Sequence, residues 1–406
     1  MIGSTTSSPT RPPAPAASPP SSSPTSPDPS GPAAPGRPAA SDQPTAREQP
    51  SAPRRHRLRS VFLRLLAPAL ALGIVAVLVL SATAGPLETT AWQALQLITG
   101  HLLPGMPWMT DGSLSAAQDQ AVWSFRLPRA LLAGIAGASL SLAGALLQAN
   151  VRNPLAEPYI LGVSAGAGVG AVTAIVAGST AIAGLGLNAA AFIGATVTTA
   201  LVYLLARQGG VIAPSRLILA GVALGSLLSA VTNFLTITTE AQNVYSVLFF
   251  LLGSVSAADY PQLIIPALSL AAVSAFALLR SRSLNALLAG DETATALGVD
   301  VRSLRRLLLL ATALLTATTV AVSGGIGFVG LVIPHAARLL VGSDHRRMLP
   351  VTILGGALFL MLADLLARTI APPAEIPLGI LTAVIGAPFF LWLLRGKGAG
   401  AAGVDR

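Results

Sequence analysis

Few side chains in this chain could do chemistry, and most of them are arginines beside apolar stretches. Arg126-Leu-Pro-Arg129 immediately precedes the apolar run LLAGIAGASLSLAGALLQ, and Arg368 ends another such run. A guanidinium presents a planar fork that pairs with carboxylates in bidentate fashion, so an arginine cluster suits recognition of an acidic surface. Asp364 and His335 are ionisable residues inside apolar segments, where an isolated charge costs about 2.5–3.5 kcal/mol on insertion scales. Gly162-Val-Ser-Ala-Gly166 formally matches the G-x-S-x-G nucleophile elbow. That elbow requires a strand–turn–helix in a soluble sheet, whereas Ser164 opens an apolar helix, so an intramembrane hydrolase pairing Ser164 with His335 has no specified geometry. The sequence contains no H-E-x-x-H and no G-x-x-x-x-G-K-[ST], so ATP, where used, is bound by another chain. The absence of cysteine removes thiolate metal sites and catalytic thiols. No metal site and no cofactor bound by this chain are expected.

The elements that must position these residues are membrane spans. Of 406 residues, 53% are hydrophobic and only 10% charged, against about 25% charged in soluble domains. Spanning helices need about 20 apolar residues. Ten segments qualify: 61–84, 128–149, 159–178, 188–206, 214–237, 262–280, 304–323, 327–341, 349–371 and 377–394. The fold class is therefore an all-α polytopic membrane protein of about ten transmembrane helices. The shorter strip 243–258 reads as a re-entrant or interfacial helix. Gly324, Gly325, Gly327 and Gly330 are denser than helix packing requires and, with Pro334, predict broken backbone, tolerated at membrane depth only inside protein or beside a cavity. Gly162-xxx-Gly166-xxx-Gly170 and Gly221-xxx-Gly225 are small-residue repeats that let helices approach closely.

Three regions follow: a Pro/Ser/Ala-rich tail over 1–53, expected to be disordered and cytoplasmic, a transmembrane domain over 54–396, and a short C-terminal tail over 397–406. The net charge of +9 is spread between apolar segments, the pattern of topology signals rather than of a nucleic-acid surface. Arg54, Arg55, Arg57, Arg59 and Arg64 place the N-terminus in the cytoplasm, and ten spans return Arg395 and Lys397 to the same side. The loops assigned inside carry Arg152, Arg207, Arg216, Arg280, Arg282, Arg302, Arg305, Arg306, Arg346 and Arg347, so Arg126, Arg129 and Arg368 are the exceptions, facing outward. They read as interfacial anchors or as a rim that receives an acidic partner. On the rim reading, replacing all three with Glu stops stimulated uptake and leaves folding and insertion intact.

The inner loop SLNALLAGDETATALGVDVRSLRR, 283–306, reads as a docking peg for a cytosolic subunit. Asp291 and Glu292 sit where they complement the dipole of a short helix from Glu292 to Leu297, and Gly298 is placed to stop it. The residues assigned to this loop's contact are Leu287, Gly290, Asp291, Glu292, Ala296, Leu297 and Gly298.

Five segments of the chain together resemble a known family. RLPRALLAGIAGASLSLAGALLQ, RNPLAEPYILGVSAGAGVGA, LLAGDETATALGV, GGIGFVGLVIPHAARLLVGSDHRRMLP and EIPLGILTAVIGAPFFLWLL occur in that order over about 60–396. They are similar to the permease of type II ABC importers, the FecCD family, which carries ferric siderophores, haem and cobalamin. The resemblance implies a transport subunit, not an enzyme, in the bacterial plasma membrane. Its partners would be membrane lipid, a second permease, identical or paralogous, two cytosolic ATP-binding subunits at the 283–301 loop, and an extracytoplasmic substrate-binding lipoprotein. The family's docking arginines fall on Arg126, Arg129 and Arg368, and its path runs along the fifth and tenth spans and the short outer helix near 243–256. A ferric siderophore is the expected cargo, with cobalamin or haem as alternatives; a proton- or sodium-coupled carrier is the rival class.

Overall fold

The computed structural model describes residues 53–103, 105–178, 186–208, 211–212 and 214–398. The expected disordered tail, up to residue 52, and the C-terminal tail from residue 399 lie outside the described residues. All ten expected apolar segments are helices. In chain order the helices are α1 (Pro53–Thr83), α2 (Ala91–Leu102), α3 (Ala116–Asp119), α4 (Leu127–Val151), α5 (Val163–Ala177), α6 (Leu187–Ala206), α7 (Pro214–Thr238) and α8 (Ala241–Leu252). They continue as α9 (Tyr260–Leu279), α10 (Ser281–Leu288), α11 (Asp291–Ala296), α12 (Val301–Ser323), α13 (Val329–Val341), α14 (His345–Thr369) and α15 (Leu378–Gly398). Seven helical stretches among the described residues are long and apolar enough to cross a membrane, while α5, α8, α13 and the Leu378–Trp392 part of α15 are shorter apolar helices. With 12 residues, α8 rises about 18 Å and cannot span, in keeping with the re-entrant expectation.

The central element is α4. Its apolar window is 83% buried, and α1, α9, α12, α13 and α14 pack around it. Such burial requires an all-round apolar surface with small residues at the crossings, which GIAGASLSLAGA supplies. Pro128 lies where α4 runs on from a π-helical turn, and its missing N–H leaves the Trp123 carbonyl to accept from the Tyr260 hydroxyl at 2.9 Å. Small-residue packing also joins α5 to α6: a Cβ on Gly166 would strike the Gly194 carbonyl and Thr198, and one on Gly194 would strike the Gly166 carbonyl. The Gly221-xxx-Gly225 pair divides its work: Gly221 lies against the Ile160 carbonyl, whereas Gly225 has open space beside it.

Two features go beyond the hydropathy pattern. The connection between α1 and α4 holds further helices in its described residues, 84–103 and 105–126. Thr90 and Ser115 each form a capping box with the glutamine three residues on, starting α2 and α3. A π-helical turn, Gln120–Arg126, then fuses α3 to α4 in one 36-residue apolar helix, with Arg126 closing the turn. The second feature is the glycine-dense segment. Between α12 and α13 the backbone of 324–328 is not helical, and Phe328 is left-handed at φ 67°. Two of its amides meet side chains from within the protein: Ile326 N–H donates to the Tyr159 hydroxyl at 2.8 Å and Phe328 N–H to Glu157 Oε1 at 2.6 Å. The expected broken backbone is therefore present, as a linker inside protein.

Candidate functional site

The three exceptional arginines come together at one end of the bundle, where α1 and α14 end and the π-helical turn meets α4. They face inward. A helix leaves its last four carbonyls without intrahelical partners, and two of these arginines supply donors to the end of α1. Arg126 Nη1 donates to Ala82 O at 2.9 Å and Thr83 O at 3.2 Å, and its Nη2 donates to Leu87 O at 2.7 Å. Arg368 Nη2 donates to Ser81 O at 3.1 Å and its Nη1 to Ala84 O at 3.3 Å. Cations at a helix C-terminus also meet the negative end of its dipole. Arg129 bonds carboxylates instead. Its Nε donates to Asp364 Oδ1 at 2.8 Å and its Nη1 to Glu375 Oε1 at 2.8 Å. Asp364 is fully buried, and its second oxygen lies 3.8 Å from Arg368 Nε. The result is a chain of charges, Glu375–Arg129–Asp364–Arg368, that ties α4 to α14 and to the loop before α15.

Each of the three arginines is bonded within the chain; Arg126 is 7% exposed, and Arg129 and Arg368 are half-buried. A glutamate at 126 would point a carboxylate at carbonyl oxygens, so charge reversal of the three disturbs the fold as well as any docking. Asp364 appears from the sequence as a lone ionisable group; its partners are 235 residues away at Arg129 and four residues on at Arg368.

At the opposite end, where α4 finishes and α14 begins, lies the 283–301 loop. It holds two short helices, α10 and α11. The second covers Asp291–Ala296, one residue earlier than expected, and stops as the glycine predicts: Gly298 takes φ 81°, while Val299 N–H donates to Ala294 O and Gly298 N–H to Thr295 O, the paired bonds of a Schellman cap. Asp291 does more than complement a dipole. Its carboxylate takes a close ion pair from Arg152 at the end of α4 and a 2.9 Å bond from Arg305 of α12, and Arg305 also donates to Asn150 O. The assigned loop residues separate accordingly. Glu292, Ala296, Leu297 and Gly298 are exposed, whereas Leu287 is fully buried among the core residues and Gly290 is half-buried at the turn. Leu287 thus anchors the loop and offers no contact surface. Asp344 completes the loop's attachment: Asn285 Nδ2 donates to it at 2.7 Å, as does Arg346 N–H at 3.0 Å, and these bonds hold its carboxyl below the usual range.

Between the two ends runs a cleft of about 750 Å³ bounded by α5, α7 and α8. Gly162, Ser164 and Gly168 form one wall, and Ser226, Ser229 and Asn233 the other. The last three are exposed although α7 is of membrane length and only 17% buried. Polar groups facing hydrocarbon are costly, so such residues belong against water or another chain. The floor is held by backbone bonds. Ser254 N–H donates to Ser323 O, Gly325 N–H to Phe250 O, and Leu378 N–H to Gly253 O, tying the end of α8 to the 324–328 linker and the start of α15. Ser164 lines this cleft, while His335 lies on α13 with its ring edge-on to Phe389. Burial pushes the Glu157 carboxyl up, against the hydrogen bond from Phe328.

A helical bundle with a polar cleft along a membrane-length helix, ion-tied at both ends, has the architecture of a polytopic membrane protein. The FecCD transport family model matches residues 73–396. The cobalamin import system permease protein BtuC of Halobacterium salinarum is 42% identical, over 80% of this chain and 94% of that protein. The vitamin B12 import system permease protein BtuC of Klebsiella pneumoniae is 40% identical, over 74% and 90%. A solved structure of a metal-chelate type ABC transporter in an inward-facing conformation superposes with a TM-score of 0.69 at 33% identity, over 82% of this chain and 99% of that one. The chain belongs to the FecCD transport family. It is the permease subunit of an ABC importer, a multi-pass plasma-membrane protein that works with a partner permease and with ATP-binding subunits that carry the hydrolysis.

Proposed function

We propose that the chain forms the membrane path of an importer for a cobalamin-type chelate. The observation that carries this reading is the identity of 40–42% to cobalamin permeases along nearly their whole length, which favours cobalamin over the ferric siderophore expected from the resemblance alone. The cleft supports it. Its glycines, serines and asparagine offer a wide, uncharged wall, suited to a bulky chelate that must bind weakly enough to leave. Residues 54–396 act as the permease domain, with the segments before and after as cytoplasmic tails.

In this reading the arginine end docks the binding protein. Arg129 is the receiving group, because its Glu375 partner is at the surface and a carboxylate from the docking lobe can take its place; Arg126 and Arg368 hold the platform. At the other end the ATP-binding subunits meet Glu292, Ala296, Leu297 and Gly298, beside a cleft of about 470 Å³ that Leu297 and Asp300 line. ATP-driven closure pulls on α11, and the Asp291 ties pass the movement to α4 and α12. The test is uptake into vesicles holding the permease, its ATP-binding subunits and the binding protein. Labelled cobalamin should accumulate with ATP and resist an ionophore. Accumulation of a ferric siderophore in preference to cobalamin assigns the cargo to iron chelates, and uptake that collapses with the ionophore removes the ABC mechanism.

A further inference from the structure

A second recess lies apart from the polar cleft, where α6, the start of α7 and α12 meet. Its volume is about 490 Å³, within the range of about 300–1,000 Å³ typical of ligand pockets. Phe192, Val202, Leu217, Leu309 and Ala313 are among its apolar walls. Thr196 and Thr199 also line it, but their hydroxyls donate back to Phe192 O and Ala195 O within α6, each at 2.8 Å. Apart from the Tyr203 hydroxyl, no uncharged side chain of the lining offers a free donor to a polar solute. One charged side chain borders the recess, Arg306, and Tyr203 also contributes to its wall.

Arg306 stands among other cations. Arg302 precedes it by one turn on α12, Arg207 follows the end of α6, and Arg216 lies in the first turn of α7. α6 packs against both α12 and α7, and Leu204, Leu217 and Arg306 share the lining of the recess. All four arginines are exposed, and none forms an ion pair among the described residues. By contrast, Arg305 of the same turn is engaged by Asp291. Asp300, the acidic residue nearest in sequence, caps α12 and lines the other cleft, beside Arg280 and Arg282.

An uncharged slot between membrane-length helices, ending at guanidinium groups that form no ion pair among the described residues, has the chemistry of one class of molecule: an amphiphile with an acyl chain and an anionic head. We infer that this recess is a binding site for an anionic phospholipid. One acyl chain lies along α6 and α12, and the headgroup phosphate meets Arg306 with help from Arg302. Guanidinium forks bind phosphate oxygens through paired hydrogen bonds, and basic pockets between transmembrane helices take acidic headgroups. A topology signal alone needs the charges but not the slot. The site has a consequence for the rest of the chain: only residues 297–300 separate α11 from α12, so a lipid seated at Arg302 and Arg306 steadies the helix onto which Asp291 fastens the loop.

The experiment uses the permease complex with its ATP-binding subunits, delipidated in detergent. Dioleoylphosphatidylglycerol, dioleoylphosphatidylcholine and glycerol 3-phosphate are titrated separately, and bound lipid is counted by native mass spectrometry alongside the melting temperature. Phosphatidylglycerol should be retained and should raise the melting temperature, while phosphatidylcholine and glycerol 3-phosphate should do neither. Arg306→Gln should weaken retention about fivefold, and Arg302→Gln with Arg306→Gln on the order of 25-fold, at the usual contribution of one arginine near an anionic headgroup. Arg306→Lys should recover most of the binding and so separates loss of charge from misfolding. Ala313→Trp, which fills the slot and leaves every charge, should also abolish retention. Equal binding of the two lipids, full protection by glycerol 3-phosphate, or retention unchanged by Ala313→Trp would each overturn the site.

Discussion

Removing one carboxylate, Asp364→Asn, tests how the arginine end is held. Asp364 is fully buried, with Arg129 Nε at 2.8 Å and Arg368 Nε at 3.8 Å. At an effective dielectric constant of about 20, the 2.8 Å contact alone carries about 6 kcal/mol of attraction, much of it offset by the desolvation of both ions. The net effect of deleting the charge is set by what the arginines keep. Arg129 retains Glu375, and Arg368 retains only the carbonyls of Ser81 and Ala84. Breaking a buried pair by removing one partner costs about 3–5 kcal/mol, and with Glu375 still in place the lower figure of about 3 kcal/mol applies. The assay is reversible unfolding of the purified permease in a titration of denaturing detergent. Arg368→Gln should be destabilising alone, yet in the Asp364→Asn background its added cost should shrink by at least about 1 kcal/mol. A change within about 0.5 kcal/mol for Asp364→Asn, the range of ordinary surface substitutions, would refute the claim that this carboxylate fastens α4 to α14.

Other expectations follow from the same contacts. Glu375→Gln, at a half-exposed group, should cost about 1 kcal/mol or less in the same titration, while changing binding-protein affinity more than it changes stability; equal affinity speaks against Arg129 as the receiving group. Asp291→Asn should lower transport per ATP hydrolysed, because it loosens the ties to Arg152 and Arg305, and Glu292→Arg should weaken co-purification of the ATP-binding subunits; wild-type values for both would leave the loop as a plain connector. Burial raises the Glu157 carboxyl in the folded chain above its ordinary 4.5. The stability this group contributes is then fully present below that value and is lost as pH rises through the folded one. Glu157→Gln, which keeps an acceptor for Phe328 N–H, should therefore gain on the wild type as pH rises from about 5 to about 8 in thermal inactivation, whereas Glu157→Leu should lose about 1–3 kcal/mol by stranding that amide.

Much of the architecture is legible one residue at a time. Apolar length marks the ten helices, since each must satisfy its own backbone and match the bilayer. The capping boxes at Thr90 and Ser115, a hydroxyl three residues before a glutamine, start α2 and α3, which a reading by apolar length passes over. Gly298 stops α11 because a left-handed residue is needed there. The direction of the arginines is not legible in this way. Charge bias selects Arg126, Arg129 and Arg368 as a set, but says nothing of the carbonyls at 81–87 or the carboxylates at 364 and 375 that receive them.

The ten apolar helices, the broken backbone at 324–328, the position of the loop helix and the candidate arginines are properties of local pattern, so the sequence by itself determines them. Tertiary structure alone decides that α4 lies at the centre, that Ser226, Ser229 and Asn233 face a cleft, that Leu287 is an anchor, and that Asp364 is an ionic bridge. The reason is physical. Hydropathy and helix-stop signals act over a few neighbouring residues, whereas a buried charge is given its meaning by partners that only chain folding brings within about 3 Å.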